Sequence, residues 1–147
     1  MIDKINLILG ESHIDDRGKL KFFNEISLKE WERFYTVENH DNNFIRAWHG
    51  HKNESKLVFP LTGVAVVCTV KIDNWEKPSR DLAVNTTVLS SQKPRALYIP
   101  AGYANGFKNL TNSTQLMFFS STSTEESKDD DFRFPWDYWN PWESNYR

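Results

Sequence analysis

The sequence predicts an all-β fold: a double-sheet sandwich or barrel with one short helix and an aromatic C-terminal tail. Two observations carry that reading. Short runs rich in Val, Leu, Ile, Phe and Tyr recur at residues 44–48, 56–61, 64–72, 83–89, 96–99 and 115–120. Between them stand turn-forming clusters such as Leu61-Thr-Gly63, Asp73-Asn74, Lys77-Pro-Ser79, Pro94, Pro100-Ala-Gly102 and Thr111-Asn-Ser113. Gly, Pro and Asn interrupt strands because each frees or fixes a backbone angle in a way that a ladder cannot use. Strands this short and this regularly interrupted pack as two layers or close on themselves. The helix is expected at residues 27–34, where Ser27 and Glu30 have the spacing of a capping box ahead of Trp31 and Phe34. Residues 120–131 are polar and charged and read as a loop. They lead into the tail Phe132-Arg-Phe-Pro-Trp-Asp-Tyr-Trp-Asn-Pro-Trp142, whose Trp139 and Trp142 are expected to cover the barrel or a subunit interface rather than stack on a base.

At 147 residues the chain is expected to form a single domain, with its core at 44–120 and the tail at 121–147. The net charge of −2 and the absence of a basic block argue against nucleic acid and anionic membranes as partners. No apolar run approaches the roughly 18 residues of a membrane span, and the first ten residues lack a signal-peptide layout, so a cytoplasmic protein is expected. The lone Cys68 lies in the apolar run Val64-Ala-Val-Val-Cys-Thr-Val70, where a thiol packs rather than reacts.

Chemistry concentrates in Arg46-Ala-Trp-His-Gly-His-Lys-Asn-Glu-Ser-Lys56. His49 and His51 are two apart, so on a strand they share a face. Such a pair serves either a metal or acid–base work. The layouts His49-x-His51-x4-Lys56-x6-Gly63 and Pro100-x-Gly102-x2-Asn105-x3-Asn109 resemble the two cupin motifs, over about residues 44–120. The resemblance implies a jelly-roll barrel with its pocket in the mouth. Metal-binding cupins use His, His, Glu and His, whereas Lys56 and Asn105 stand at the third and fourth positions here. An ammonium repels a divalent cation and an amide is a weak ligand for a transition metal. Glu54 could offer a carboxylate, but two residues short of the ligand position. No metal and no other cofactor is expected.

Arg46-Ala-Trp-His49, Lys56-Leu-Val58 and Tyr98-Ile-Pro-Ala-Gly-Tyr-Ala-Asn-Gly-Phe107 resemble the signatures of the nucleotide-linked 4-keto-6-deoxysugar 3,5-epimerases, as do Asp16-Arg17-Gly18 and Phe134-Pro-Trp-Asp137. The resemblance implies a dTDP-linked keto-sugar substrate and a homodimer. It makes His49 the base that removes the proton α to the ketone, with Asp137 orienting it, and Lys56 the cation that stabilises the enolate. Arg46 and Arg17 would hold the diphosphate, and Asn105 and Tyr103 would complete the substrate-binding set. One family residue is missing: the Tyr that reprotonates the opposite face falls on Phe118, which has no proton to give. Inversion at one carbon only is one consequence. His51 fits a different resemblance, to the nucleotide-sugar 3,4-ketoisomerases, which pair two His with an upstream Tyr. Arg46, His49, His51 and Tyr35 supply that set over residues 33–52. The epimerase reading is favoured, with the ketoisomerase and a non-catalytic sugar- or nucleotide-binding cupin as alternatives.

Overall fold

The computed structural model describes residues 3–143. Chain order begins with β1 (Asn6–Leu9), the hairpin β2 (Glu11–Asp15) and β3 (Gly18–Phe22), then a 3-10 turn at Leu28–Glu30 and β4 (Arg33–Glu38). The six runs read from sequence follow as β5 (Ile45–His51), β6 (Lys56–Thr62), β7 (Val64–Lys71), β8 (Val84–Ser90), β9 (Arg95–Ile99) and β11 (Gln115–Ser120), with a further strand, β10 (Tyr103–Asn109), between the last two. A short helix, α1 (Thr124–Lys128), and β12 (Phe132–Arg133) close the order. Two five-stranded antiparallel sheets form, β1-β9-β6-β11-β4 and β12-β5-β10-β7-β8. They face each other as a jelly-roll sandwich of the cupin type, as the sequence predicts.

Period-two burial explains the layering. On β11, Leu116 and Phe118 point inward, and on β4 their register partners Val37 and Tyr35 do the same. Val58, Val67, Leu89, Leu97, Ile99 and Phe107 complete the core between the sheets. β7 is covered on both faces, which is why Val64-Ala-Val-Val-Cys-Thr-Val reads as a continuous apolar run. Its outward residues Cys68 and Val70 join Trp48, Ala104, Trp139 and Trp142 in a second cluster. Cys68 is buried there, and burial pushes its thiol up to about 11, so it packs as expected.

Trp139 and Trp142 cover the barrel. Trp48 Nε1 donates to the carbonyls of Trp136 and Trp139, and the Trp48 ring meets Trp139 and Trp142 at 5.4 and 5.2 Å. Residues 144–147 of the predicted tail lie outside the described residues.

The helix expectation at 27–34 is corrected. Ser27 makes no side-chain cap bond, only Leu28–Glu30 turn, and residues from Arg33 onward are extended. β4 gains a full ladder against β11 in that conformation, which outweighs a short local helix. The helix forms instead in the segment read as a loop. There Ser123 and Glu126 cap each other reciprocally ahead of Thr124–Lys128. β1 and β4 place first-sheet strands upstream of residue 44, and β12 pairs with β5 from the tail side.

Candidate active site

β5 carries the histidines between two neighbours. Its inner partners on β10 are His51↔Tyr103, His49↔Asn105 and Arg46↔Phe107, and β12 pairs Arg133 with His49. Arg46 and His49 are three apart, an odd spacing that would put them on opposite faces. A bulge absorbs the extra residue, so both share the face of Asn105 and Phe107. Gly106 makes room for it, because a Cβ there would come within 2.5 Å of the Ala47 Cβ and 3.0 Å of the Arg46 carbonyl oxygen.

The opposite wall comes from the first sheet. Register places Arg33, Ser120 and Lys56 in one row across β4, β11 and β6, and Tyr35, Phe118 and Val58 in the next inner row. Between the walls opens a cavity of about 280 Å³ lined by Arg33, Tyr35, His49, His51, Lys56 and Arg133, with Lys128 and Asp131 at its rim. Larger cavities of about 480 and 660 Å³ lie over the outer face of the first sheet and hold no imidazole. Converging titratable groups, not volume, mark the site.

The two histidines differ sharply. His49 makes no side-chain hydrogen bond among the described residues. Burial, then the Lys56 ammonium and the Arg133 guanidinium, hold it down to about 4, against a smaller upward pull from Asp131. It is neutral at pH 7 and able to accept a proton. His51 is turned into the protein. Its Nδ1–H donates to the Asp130 carbonyl at 2.5 Å and its Nε2 lies 3.2 Å from Glu54 Oε2. Burial and Lys56 lower it while Glu54 and the Asp130 carbonyl pull it up.

Lys56 Nζ donates to the Tyr35 hydroxyl at 3.1 Å and stands 3.6 Å from Glu54 Oε2. Tyr35 lies flat against Phe118, ring centroids 5.3 Å apart and planes within 6°. A phenol therefore stands one strand away from the position where the resembled family has its Tyr. Tyr103 and Asn105 are buried beside the histidines. Arg46 lies further along the same face, its Nε donating to Asn39 Oδ1 at 2.6 Å.

Five expected residues do not line this cavity: Tyr103, Asn105 and Arg46, which lie on β5 and β10 nearby, and Arg17 and Asp137, which lie apart from it. Arg17 is exposed at the β2–β3 turn and paired with Asp15 at 2.6 Å. Asp137 is exposed on the tail and does not line the cavity, because the chain enters β12 first and presents Asp131 to His49 instead. The spacing of the sequence missed Arg33, Arg133, Asp130 and Glu54 as site groups. Asp130 accepts from the backbone N–H groups of Lys52, Asn53 and Glu54 at 2.6–2.9 Å across 76–78 residues, and no local pattern announces that contact. Alternation in Phe132-Arg-Phe134 is the one local hint that the tail adds a strand beside His49.

Comparison with known proteins identifies the family and the fold. The family model described as dTDP-4-dehydrorhamnose 3,5-epimerase matches residues 2–138. Among solved structures, the chain is similar to the dTDP-4-dehydrorhamnose 3,5-epimerase from Bacillus anthracis str. Ames, solved with TDP and pyrophosphate bound: 22% identity, 97% of this chain, 86% of that one, TM-score 0.79. It is similar also to a double mutant of the QdtA 3,4-ketoisomerase from Thermoanaerobacterium thermosaccharolyticum, at 22% identity, 94% and 93% coverage and TM-score 0.70. The WlaRB TDP-quinovose 3,4-ketoisomerase from Campylobacter jejuni aligns at 20% identity, 93% and 98% coverage and TM-score 0.69. No curated protein sequence matches.

Proposed function

This chain belongs to the dTDP-4-dehydrorhamnose 3,5-epimerase family and is an enzyme of the nucleotide-sugar epimerase and isomerase class, and from that premise we propose a metal-independent epimerase of a dTDP-linked 4-keto-6-deoxyhexose. His49, neutral and free of protein hydrogen bonds, takes the proton α to the ketone. Lys56 stabilises the enolate oxygen. Tyr35, on the opposite sheet, returns a proton to the other face: its O–H bond breaks as the new C–H bond forms. The phenolate so made lies beside the Lys56 ammonium until solvent restores its proton, and His49 releases its own proton to solvent. Arg33, Lys128 and Arg133 give the cavity a positive rim suited to a diphosphate, with Arg46 beyond them. With one phenol facing one base, inversion at a single carbon is the simplest product.

The observation that carries the epimerase over the ketoisomerase is the state of His51. Its Nδ1 is bonded to the Asp130 carbonyl and its Nε2 faces Glu54 Oε2 at 3.2 Å, so His51 is oriented by protein groups, whereas His49 alone is left without a side-chain partner among the described residues. The test is incubation with dTDP-4-keto-6-deoxyglucose in D2O, followed by NMR. An epimerase places deuterium at C3, or at C3 and C5, and forms an epimer. A 3-keto product would select the ketoisomerase, and neither label nor product would reject both. His49→Gln is expected to lower exchange by at least about 100-fold. Tyr35→Phe should cut epimer formation by a similar factor while exchange into recovered substrate continues.

A homodimer is part of the proposal. Phe34, Leu28 and Leu61 are exposed on and around the outer face of the first sheet, next to Phe59 and Phe119. Apolar surface grouped in this way favours a partner copy, and light scattering behind size exclusion tests it. No helix among the described residues is long and apolar enough to cross a membrane. A nucleotide-linked substrate supports action in the cytoplasm.

A further inference from the structure

Among the described residues, two acidic side chains are buried, and they are used differently. Asp130 spends both carboxylate oxygens on backbone N–H groups of the turn after β5. Glu54 spends only one. Its Oε1 accepts from Ser120 at 2.6 Å, Thr122 at 2.8 Å and Arg33 at 3.2 Å. Its Oε2 has no hydrogen bond in the structure and is aimed at two cations or potential cations, His51 Nε2 at 3.2 Å and Lys56 Nζ at 3.6 Å. The side chain is fully shielded from water. Taking a carboxylate out of water costs several kcal/mol unless every partner is in place. A purely structural role would leave neither oxygen unbonded, since a buried acceptor without a donor is itself a cost.

Position explains the second oxygen. Lys56 reaches Tyr35 from one side and Glu54 from the other, so the ammonium is held between a phenol and a carboxylate. Because Lys56 donates to the Tyr35 oxygen, the Tyr35 hydroxyl hydrogen must point away from Lys56. Arg33 holds the other end of the device, bonded to Glu54 with its guanidinium 5.2 Å from the centre of the Tyr35 ring. All of these groups lie on the wall opposite His49.

We propose that Glu54 is the positioning residue for the return of the proton. Its Oε2 fixes Lys56 against Tyr35 and so commits the enolate to protonation on the face opposite His49. This rests on the epimerase reading above and adds a residue that touches no substrate atom. The chemistry is a proton transfer alone. Tyr35 loses its hydroxyl proton to the enolate carbon, the negative charge passes from enolate to phenolate, and Lys56 stays protonated throughout. Without the carboxylate, Lys56 has no fixed anchor, and His49 returns the proton to the face it came from. Exchange then continues while inversion fails.

The experiment compares two signals from one reaction in D2O: epimer formed, and deuterium in recovered substrate. Glu54→Gln keeps the shape and an amide oxygen for Ser120 and Thr122 but removes the charge. The ratio of epimer to exchanged substrate is expected to fall about tenfold or more, less than loss of a direct donor would cause. Ser120→Ala, which removes one of the three donors to Oε1 and leaves the charge, should lower the same ratio by a smaller factor and decides the matter if Glu54→Gln does not fold. A general loosening of the fold would lower both signals together and leave the ratio unchanged, and an unchanged ratio in the folded variants overturns the proposal. In a Tyr35→Phe background, Glu54→Gln should have no further effect on the ratio; an additional drop there would also overturn it. Absence of both signals in the unmodified enzyme is the separate outcome that rejects the epimerase reading.

Discussion

Lowering the pH is the perturbation that most directly tests the base. His49 is held at about 4 against an ordinary 6.5 by burial, Lys56 and Arg133. At pH 5 a base titrating at about 4 is about 90% neutral, whereas an unperturbed imidazole is only about 3% neutral, a difference of roughly thirtyfold in active enzyme. kcat/KM for deuterium exchange, which reports the free enzyme, should therefore stay nearly flat from pH 7 to 5 and fall only as pH passes about 4. Arg133→Gln removes one of the charges that depress His49 and should move the acid limb upward. Folding stability follows the same linkage. Between pH 6.5 and about 4 the unfolded chain binds a proton at His49 that the native state refuses, so stability falls as pH falls through that window. The gap of some 2.5 units corresponds to about 3 kcal/mol, which solvent at the cavity mouth trims to about 2. His49→Gln should lose less stability between pH 7 and 4.5 than the unmodified chain, read as denaturant midpoints at each pH. His51 is lowered too and keeps part of the acid sensitivity in the variant. An activity limb with its midpoint at 6.5 or above, with far-UV circular dichroism unchanged across it, would refute the reasoning.

Other perturbations probe the scaffold that places the site. Gly106→Ala drives a methyl group into Ala47 and the β5 bulge; it should cost about 1–3 kcal/mol and lower exchange, because the bulge aligns His49, by denaturation and NMR assay. Asp130→Ala leaves three backbone N–H groups of residues 52–54 without their acceptor; a loss of about 3 kcal/mol is expected in urea unfolding. Trp142→Ala opens the outer aromatic cluster against Trp48; it should destabilise by about 3 kcal/mol and leave the pH of the His49 limb where it was.

Legibility followed the range of the contact. The six apolar runs read from sequence fell on β5 to β9 and β11 because each is buried on at least one face and punctuated by Gly or Pro. The His49, His51 and Lys56 grouping was visible because strand periodicity alone assigns His49 and His51 to one face. Tyr35 was visible only through resemblance; what placed it opposite Phe118 was the β4–β11 register, which no local pattern contains. The capping-box motif shows why local rules fail at the margins. Ser27 and Glu30 have the spacing but sit before a segment that gains more as a strand, while Ser123 and Glu126 have it and no competing ladder. Asp137 was chosen for its motif and Asp131 was passed over. The deciding fact is that β12 pairs beside His49, a long-range contact.

The two histidines are chemically identical and adjacent on one face, yet the fold gives them opposite work. Nothing on β5 itself accounts for that. The difference comes from three groups off β5: the Asp130 carbonyl before β12, 79 residues away, the Glu54 carboxylate in the turn before β6, and the Lys56 ammonium on the opposite sheet. The first is bonded to Nδ1 of His51, the second faces its Nε2 at 3.2 Å, and the third, with burial, keeps His49 uncharged. Neighbours that drive like groups apart in proton affinity are how one site separates base from bystander. A His-x-His spacing therefore states that two imidazoles share a wall, and the residues around the wall decide which of them reacts. Here those residues come from the motif itself, Glu54 and Lys56, and from the tail, Asp130 and Arg133, so the roles of the two imidazoles are written jointly by the motif and by the fold that brings the tail beside it.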